Sequence, residues 1–412
     1  MKTSMIPLMV AALVVLLMGL QIGCKEDPPV SIYDDAAFNT TSKATPVVSS
    51  IAPAGKGLAG VTLITLTGQN FSTAAGENFV FFDGTVAELL QASATQLQVR
   101  APVLVKDSIK VRVTVTGADQ ISAPPLYYNL EEAVGSFGNL GANTEPYAIT
   151  CDAAGNVYVS IVTSGIGAGI KKVNVDGTSS TQLYANPSTG VLSWRGLKFG
   201  AGGVLFASGV VGRDGAIYQI PAGGGTATSF VGLGRVAVYD FDIDAAGNMW
   251  VGGDMANIIR VMPDKSLRNF PFRALIKSVR VFDNYLYVGG RVDTVESVWR
   301  FPLAGDTLGT AEKYYDLTAN YYGAKVNAMT FALDGDMFIA TNPIAGSLLI
   351  VHPDKSAEPF YPGLLSQENI FLSYSNGTEL YLSRTGPAAD GSDKRVIRVY
   401  TQKQGAPYNG RP

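Results

Sequence analysis

Val157-Tyr158-Val159-Ser160 decides how this chain is read, because five further copies of the same phrase follow it. They are Leu205-Phe206-Ala207-Ser208, Met249-Trp250-Val251-Gly252, Leu286-Tyr287-Val288-Gly289, Met337-Phe338-Ile339-Ala340 and Leu380-Tyr381-Leu382-Ser383. Each runs aliphatic, aromatic, aliphatic, small, which suits a short buried strand. Ahead of three copies stand Asp152-Ala153-Ala154-Gly155-Asn156, Asp244-Ala245-Ala246-Gly247-Asn248 and Asp334-Gly335-Asp336. Asp, Asn and Gly accept the positive φ that a tight hairpin turn demands.

The aromatic positions lie 48, 44, 37, 51 and 43 residues apart, the period of a β-propeller blade. An apolar strand precedes each turn, as in Tyr147-Ala148-Ile149-Thr150 and Tyr239-Asp240-Phe241-Asp242. A third strand follows each phrase, from Ile170-Lys171-Lys172-Val173 to Val396-Ile397-Arg398-Val399. A more polar fourth strand completes the unit. Four antiparallel strands repeated six times predict a six-bladed propeller over residues 131–402, with a C-terminal tail at 403–412. After Val399 too little chain remains for the last outer strand. Ala133 to Phe137 is the segment expected to supply it and close the ring.

Residues 46–130 lack the phrase. Alternating strands such as Val61-Thr62-Leu63-Ile64-Thr65-Leu66-Thr67 and Ile109-Lys110-Val111-Arg112-Val113-Thr114-Val115 are separated by Gly, Pro and Asn turns. That is the pattern of a small β-sandwich. Together with Gly68-Gln69-Asn70-Phe71 and Phe82-Asp83-Gly84, this segment resembles the IPT/TIG family of immunoglobulin-like domains. The resemblance implies a spacer or adhesive module without catalytic residues. The second half resembles NHL-type six-bladed propellers, through Pro146-Tyr147-Ala148-Ile149 leading into Asp152 and Val157-Tyr158-Val159. The predicted fold class is thus all-β: a small Ig-like sandwich followed by a six-bladed propeller.

At the N-terminus, Lys2 precedes an apolar run from Met5 to Leu20 that ends in Gln21-Ile22-Gly23-Cys24. This reads as a secretory signal over residues 1–23. It resembles a bacterial lipoprotein signal, which implies lipidation of Cys24 and an anchor in the outer membrane. Residues 24–45 read as a flexible, polar tether. The acidic Glu26-Asp27 behind the cysteine resembles an export signal to the cell exterior; the periplasmic face is the alternative. Cys151, the second of two cysteines, ends an apolar strand and reads as a small buried hydrophobe.

A formal net charge of −3 with 31 basic and 34 acidic residues leaves no basic footprint for nucleic acid. The single histidine, His352 in Val351-His352-Pro353-Asp354, provides no material for triads or histidine-rich metal sites, and it reads as an exposed turn residue. Aligning the blades on their aromatics places Tyr147, Arg195, Tyr239, Lys277, Asn327 and Ile370 at one level of the inner strands. Glu145, Asp240, Glu368 and Asn369 lie close by. Tyrosine and arginine suit a sugar ring, one through a flat face with a hydroxyl and the other through forked donors. Trp194 reads as a stacking platform beside Arg195. In the stretch Lys313-Tyr314-Tyr315 to Tyr321-Tyr322-Gly323, the first tyrosine pair reads as packed, and Tyr321 and Tyr322 as exposed contacts.

The reading that follows is a lipid-anchored surface protein that is not an enzyme. It would bind a polysaccharide or oligosaccharide, or a partner in a glycan-uptake system, through the propeller. No cofactor, metal or catalytic residue is assigned. Two alternatives come from other classes. Six-bladed lactonase-like propellers, which hold a cation through Glu, Asn and Asp, imply a metal-dependent hydrolase in the channel. The other is an adhesin or protein scaffold.

Overall fold

The computed structural model describes residues 42–188, 190–305, 307–365, 367–384 and 394–411. The signal segment, Cys24 and the tether as far as residue 41 lie outside these residues. Contacts divide the chain into two units, the first holding most of the residues up to Asn129 and the second holding Leu130 onward.

The first unit is a two-sheet sandwich. Val47–Ala52, Leu63–Gln69, Gln96–Arg100 and Glu88–Ala92 form one sheet in that paired order. The strands Asn78–Phe82, Lys106–Val115 and Leu126–Glu131 belong to the other. Ile64, Leu66, Leu97 and Val99 meet Val80, Phe82, Val111 and Val113 as fully buried positions, which is the alternation the sequence shows. Gly68 has a packing reason, since a Cβ there would lie 2.5 Å from the ring of Phe71 and would strike the carbonyl of Val47. Lys43 falls within the expected tether. It donates its N–H to Gly117 at 2.7 Å and pairs with Glu77 at 2.6 Å, so the end of the tether is fixed to the domain.

In the second unit four of the six phrases are the second strand of a four-stranded sheet, and the other two share one seven-stranded sheet. Blade 1 runs Thr144–Cys151, Val157–Thr163, Ile166–Val173 and Ser179–Ala185. Blade 2 runs Gly196–Phe199, Leu205–Val211, Asp214–Ile220 and Thr228–Gly234. Blade 5 runs Ala328–Phe331, Met337–Ala340, Leu348–Val351 and Ala357–Pro359. Blades 3 and 4 depart from the simple repeat. The long strand Leu267–Phe282 pairs with Met249–Val261 along its first half and with Tyr285–Val292 along its second. The outer edge of blade 3 therefore continues without a break into the inner strand of blade 4.

Blade 6 holds Phe371–Tyr374, Glu379–Arg384 and Arg395–Tyr400, and its outer strand is Val134–Ser136. Val134 faces Val399 and Ser136 faces Ile397 in antiparallel register, so the segment before blade 1 closes the ring. Apolar clusters fill the gaps between consecutive blades. One of them joins Ile149, Cys151 and Val157 of the first to Phe137, Tyr381 and Val396 of the last.

The phrase now has a physical explanation. Its aromatic packs between blades, as with Trp250, Tyr381 and Phe338, all fully buried. The turn aspartate caps the hairpin and also receives the polar tip of that aromatic. Asp152 Oδ2 accepts from Tyr158 Oη at 3.0 Å and Asp244 Oδ2 from Trp250 Nε1 at 2.9 Å. The fourth residue is small because the next inner strand begins against it. Ser160 Oγ accepts the Trp194 N–H at 3.2 Å, and a Cβ on Gly289 would lie 2.7 Å from Val326.

Candidate functional site

The six inner strands surround a central channel, and the residues that line it come from the aligned positions. At the mouth, where these strands begin, Tyr239 is the hub. The Arg195 guanidinium lies 4.7 Å from its ring centre and the Lys277 ammonium 4.1 Å. Tyr147, half-buried, lies 6.1 Å from Phe371 between ring centres. Asn327 donates to Glu368 at 2.9 Å and to the Asn369 carbonyl at 3.0 Å. The structure thus brings Arg195, Tyr239 and Lys277 into one group and turns Asn327 toward blade 6.

Burial holds the Lys277 ammonium below the ordinary lysine range, and the neighbouring Arg195 charge lowers it further. Burial likewise pushes Tyr147 up, with Glu145 adding to the effect. Both follow from placing titratable groups in a partly dry site among like or unlike charges.

Two predicted contacts are corrected. Trp194 is not a stacking platform: it is 2% exposed and packs edge-on against Tyr218 at 4.8 Å inside the gap between blades 1 and 2. Its backbone sits where blade 2 meets Ser160, which turns the indole away from the channel. Tyr321 is half-buried rather than exposed, with its hydroxyl donating to the Ala357 carbonyl at 3.2 Å. Tyr322 is exposed at 87%, while Tyr314 and Tyr315 are buried. His352 also differs from a free turn residue, because its Nδ1 lies 2.8 Å from Asp336 Oδ1.

Below the mouth lies a polar level that the sequence reading missed. Sheet register sets Thr150, Lys198, Asp242, Arg280, Thr330 and Ser373 directly opposite the six phrase aromatics. Every one is polar. Reading the partner of each aromatic, eight residues before it or seven in blade 4, was the available signal. Arg280 and Asp242 pair at 2.8 Å with side chains 1% exposed. Lys198 pairs with Asp240 at 3.4 Å. Burial pushes the Asp240 carboxyl up against the pull of Lys198; for Lys198, burial is outweighed by Asp240 and Asp242, and its ammonium is raised.

The C-terminal segment forms the floor. Ala406 N–H donates to Phe331 at 2.9 Å, Asn409 Nδ2 to Ile243 at 3.0 Å and Arg411 Nη2 to Tyr374 at 2.8 Å. Those three acceptors are the last residues of three inner strands. Tyr408 projects into the channel, its hydroxyl 2.6 Å from Thr330 and its ring 3.6 Å from the Arg280 guanidinium. The cavity left between mouth and floor is about 20 Å³, room for a water but not for a sugar ring. A ligand would have to rest on the mouth.

The carboxylates expected near the mouth are engaged separately. Glu145 pairs with Lys394, Glu368 with Asn327 and Asp240 with Lys198. Among the described residues no group of three or more His, Cys, Asp or Glu is placed to hold a metal ion. Two larger hollows, of about 420 and 860 Å³, lie beside Tyr158 and Tyr184 and beside Asn284 and Leu333. Three of their acidic side chains serve the fold, Asp152 and Asp244 in turns and Asp334 with Lys403. At the mouth, half-buried cations from two different blades meet around one aromatic.

Comparison with known proteins fits this architecture. An auxiliary nutrient binding protein from Bacteroides thetaiotaomicron superposes with a TM-score of 0.51 at 12% identity, covering 88% of this chain and 98% of that one. A protein of unknown function from the same organism gives 0.50 at 13% identity, covering 86% and 98%. Regucalcin, a calcium-binding protein from Agrobacterium tumefaciens, gives 0.51 at 15% identity over 65% of this chain and 94% of its own. At such identities the likeness concerns the fold. No curated protein matches the chain by sequence. The IPT/TIG domain profile matches residues 46–128. Those residues therefore belong to the IPT/TIG family, and a six-bladed β-propeller follows them.

Proposed function

We propose that the propeller is a non-enzymatic binding module that receives a segment of polysaccharide or oligosaccharide at its channel mouth. The observation that carries this reading is the contrast between the channel's two ends. Arg195, Lys277, Tyr239 and Tyr147 present donors and ring edges at an open rim, whereas Tyr408 and the Arg280–Asp242 pair fill the floor. Such a site can hold a polar ligand by several hydrogen bonds without admitting it to a reactive interior. The one histidine is bonded to Asp336 on blade 5, and the Cys151 thiol is buried against the Tyr374 carbonyl at 3.1 Å. Neither side chain is offered to the mouth. A binding role also accords with the auxiliary nutrient binding protein that shares the fold.

In this reading the protein is tethered by a lipid on Cys24 to the outer membrane, facing the exterior. The IPT/TIG domain then serves as a spacer, and a glycan-uptake complex is the natural partner. Affinity electrophoresis of the full chain against a panel of polysaccharides tests the binding role. Retardation on at least one glycan, reduced by Arg195→Ala, is expected. Free migration through every gel would remove the proposal.

A further inference from the structure

The mouth carries more than generic polarity, and this step rests on the binding role just proposed. We infer that it selects glycans bearing carboxylate groups, such as uronic acid polymers. Arg195 from the start of blade 2 and Lys277 from the start of blade 4 both pack on the Tyr239 ring of blade 3, at 4.7 and 4.1 Å. Both side chains belong to half-buried residues. Among the described residues neither makes an ion pair within 4.0 Å.

The nearby acids are otherwise occupied. Glu145 is paired with Lys394, Asp240 with Lys198 below the rim, and Glu368 accepts from Asn327. Glu296 accepts the Val326 N–H at 3.2 Å and acts on Lys277 only from a distance, as does Asp254. Two like charges packed on one ring in a partly dry site repel; burial first, and then the Arg195 charge, lowers the proton affinity of Lys277. An anionic group bound at the mouth would relieve the repulsion. A carboxylate matches the planar fork of arginine in two parallel hydrogen bonds while lysine contributes a point charge. Tyr239 then acts as the shared platform that fixes the spacing of the two cations. A neutral sugar would gain the hydrogen bonds but not the charge compensation.

The test uses the full chain with polygalacturonate, alginate and the fully methyl-esterified forms of each, which keep the sugar and remove the charge. Isothermal titration is expected to show at least one free acid binding about tenfold or more tighter than its ester. That preference should weaken with salt, and Arg195→Gln and Lys277→Gln should each erase it. Lys277→Arg, which keeps the charge, should retain it, and thermal melts of all variants establish that they fold. Equal binding of acid and ester, or a preference that survives both glutamine substitutions, overturns the inference. Binding confined to neutral glycans overturns it while leaving the binding role standing. Failure to bind any polysaccharide removes both.

Discussion

The guanidinium of Arg280 lies 3.6 Å from the centre of the Tyr408 ring, and its other face of contact is Asp242 at 2.8 Å. One residue of the C-terminal segment thus covers a buried ion pair formed between blades 3 and 4. Tyr408→Ala should lower propeller stability by roughly 3 kcal/mol, the low end of the range for deleting a core aromatic, because Tyr408 is only half-buried. Arg280→Ala should cost about as much, because it strands Asp242 without its partner. Replacing Arg280 and Asp242 together by Met and Leu should recover much of that loss. Urea unfolding followed by tryptophan fluorescence measures all three. A Tyr408→Ala midpoint equal to that of the parent would show that the floor contributes nothing.

The small fourth residue of the phrase sets how closely blades approach. Gly289→Val places a branched side chain where a Cβ already lies 2.7 Å from Val326. Overpacking of this kind costs about 1–3 kcal/mol. The same substitution at Gly232, whose Cβ would meet nothing within 4 Å, is the control and should be close to neutral. Thermal melts of the two variants compare them directly, and equal midpoints would refute the spacing argument.

At the repeated turn, Asp244 accepts both the Asn248 N–H and the Trp250 indole N–H, each at 2.9 Å. Asp244→Ala leaves a buried indole N–H without its acceptor, a loss of about 1–3 kcal/mol. Trp250→Phe should cost less at this turn, since it removes the donor along with the need for the acceptor. A double-mutant cycle by chemical denaturation gives the coupling, and a coupling near zero would dissociate the turn from the aromatic.

Burial pushes Tyr128, Tyr287 and Tyr315 each up to about 12, against about 10 for a free tyrosine. Because the folded chain holds these protons more tightly, the stability they confer is complete below pH 10 and disappears as pH rises through 12. Absorbance at 295 nm should show part of the tyrosines titrating near 10 and the rest only as the fold melts. A single transition near 10 with native ellipticity intact would contradict the burial.

Lys277 gives the mouth its own pH dependence. With burial first, then Arg195 and Arg291, lowering its proton affinity and Glu296 and Asp254 opposing them, it should discharge below the roughly 10.4 of a free lysine. Binding of polygalacturonate should therefore weaken as pH rises toward that value, while the parent fold persists. Lys277→Arg should flatten the profile, and a parent profile that is already flat would place the charge elsewhere.

The ring of blades was legible because the phrase aromatics are both sequence markers and interblade core, so spacing and packing carry the same information. Closure by Ala133 to Phe137 was legible by subtraction. The mouth was legible in part. Arg195, Tyr239 and Lys277 share a level because the alignment on aromatics survives folding. Trp194 was misread because one position along a strand reverses the face. In blades 3 and 4 the register also slips near the mouth, between Val238 and Asp240 and between Ile276 and Ser278. Such bulges leave no mark in composition. Asp242 and Arg280 looked like ordinary strand polars, since their pairing spans two blades. Tyr408 stood in what read as a tail, with no periodicity to betray its partners.

The pairing of Val134–Ser136 with Arg395–Tyr400 fixes an order of events during biosynthesis. The first of these segments leaves the ribosome long before the second exists, so five blades can assemble while its edge waits uncovered. Only later translation, of Arg395–Tyr400 and then Tyr408, provides the strand that occupies that edge and the tyrosine that seats beneath it. A chain halted anywhere before residue 395 would be an arc with two sticky ends, fit for chaperones or proteases.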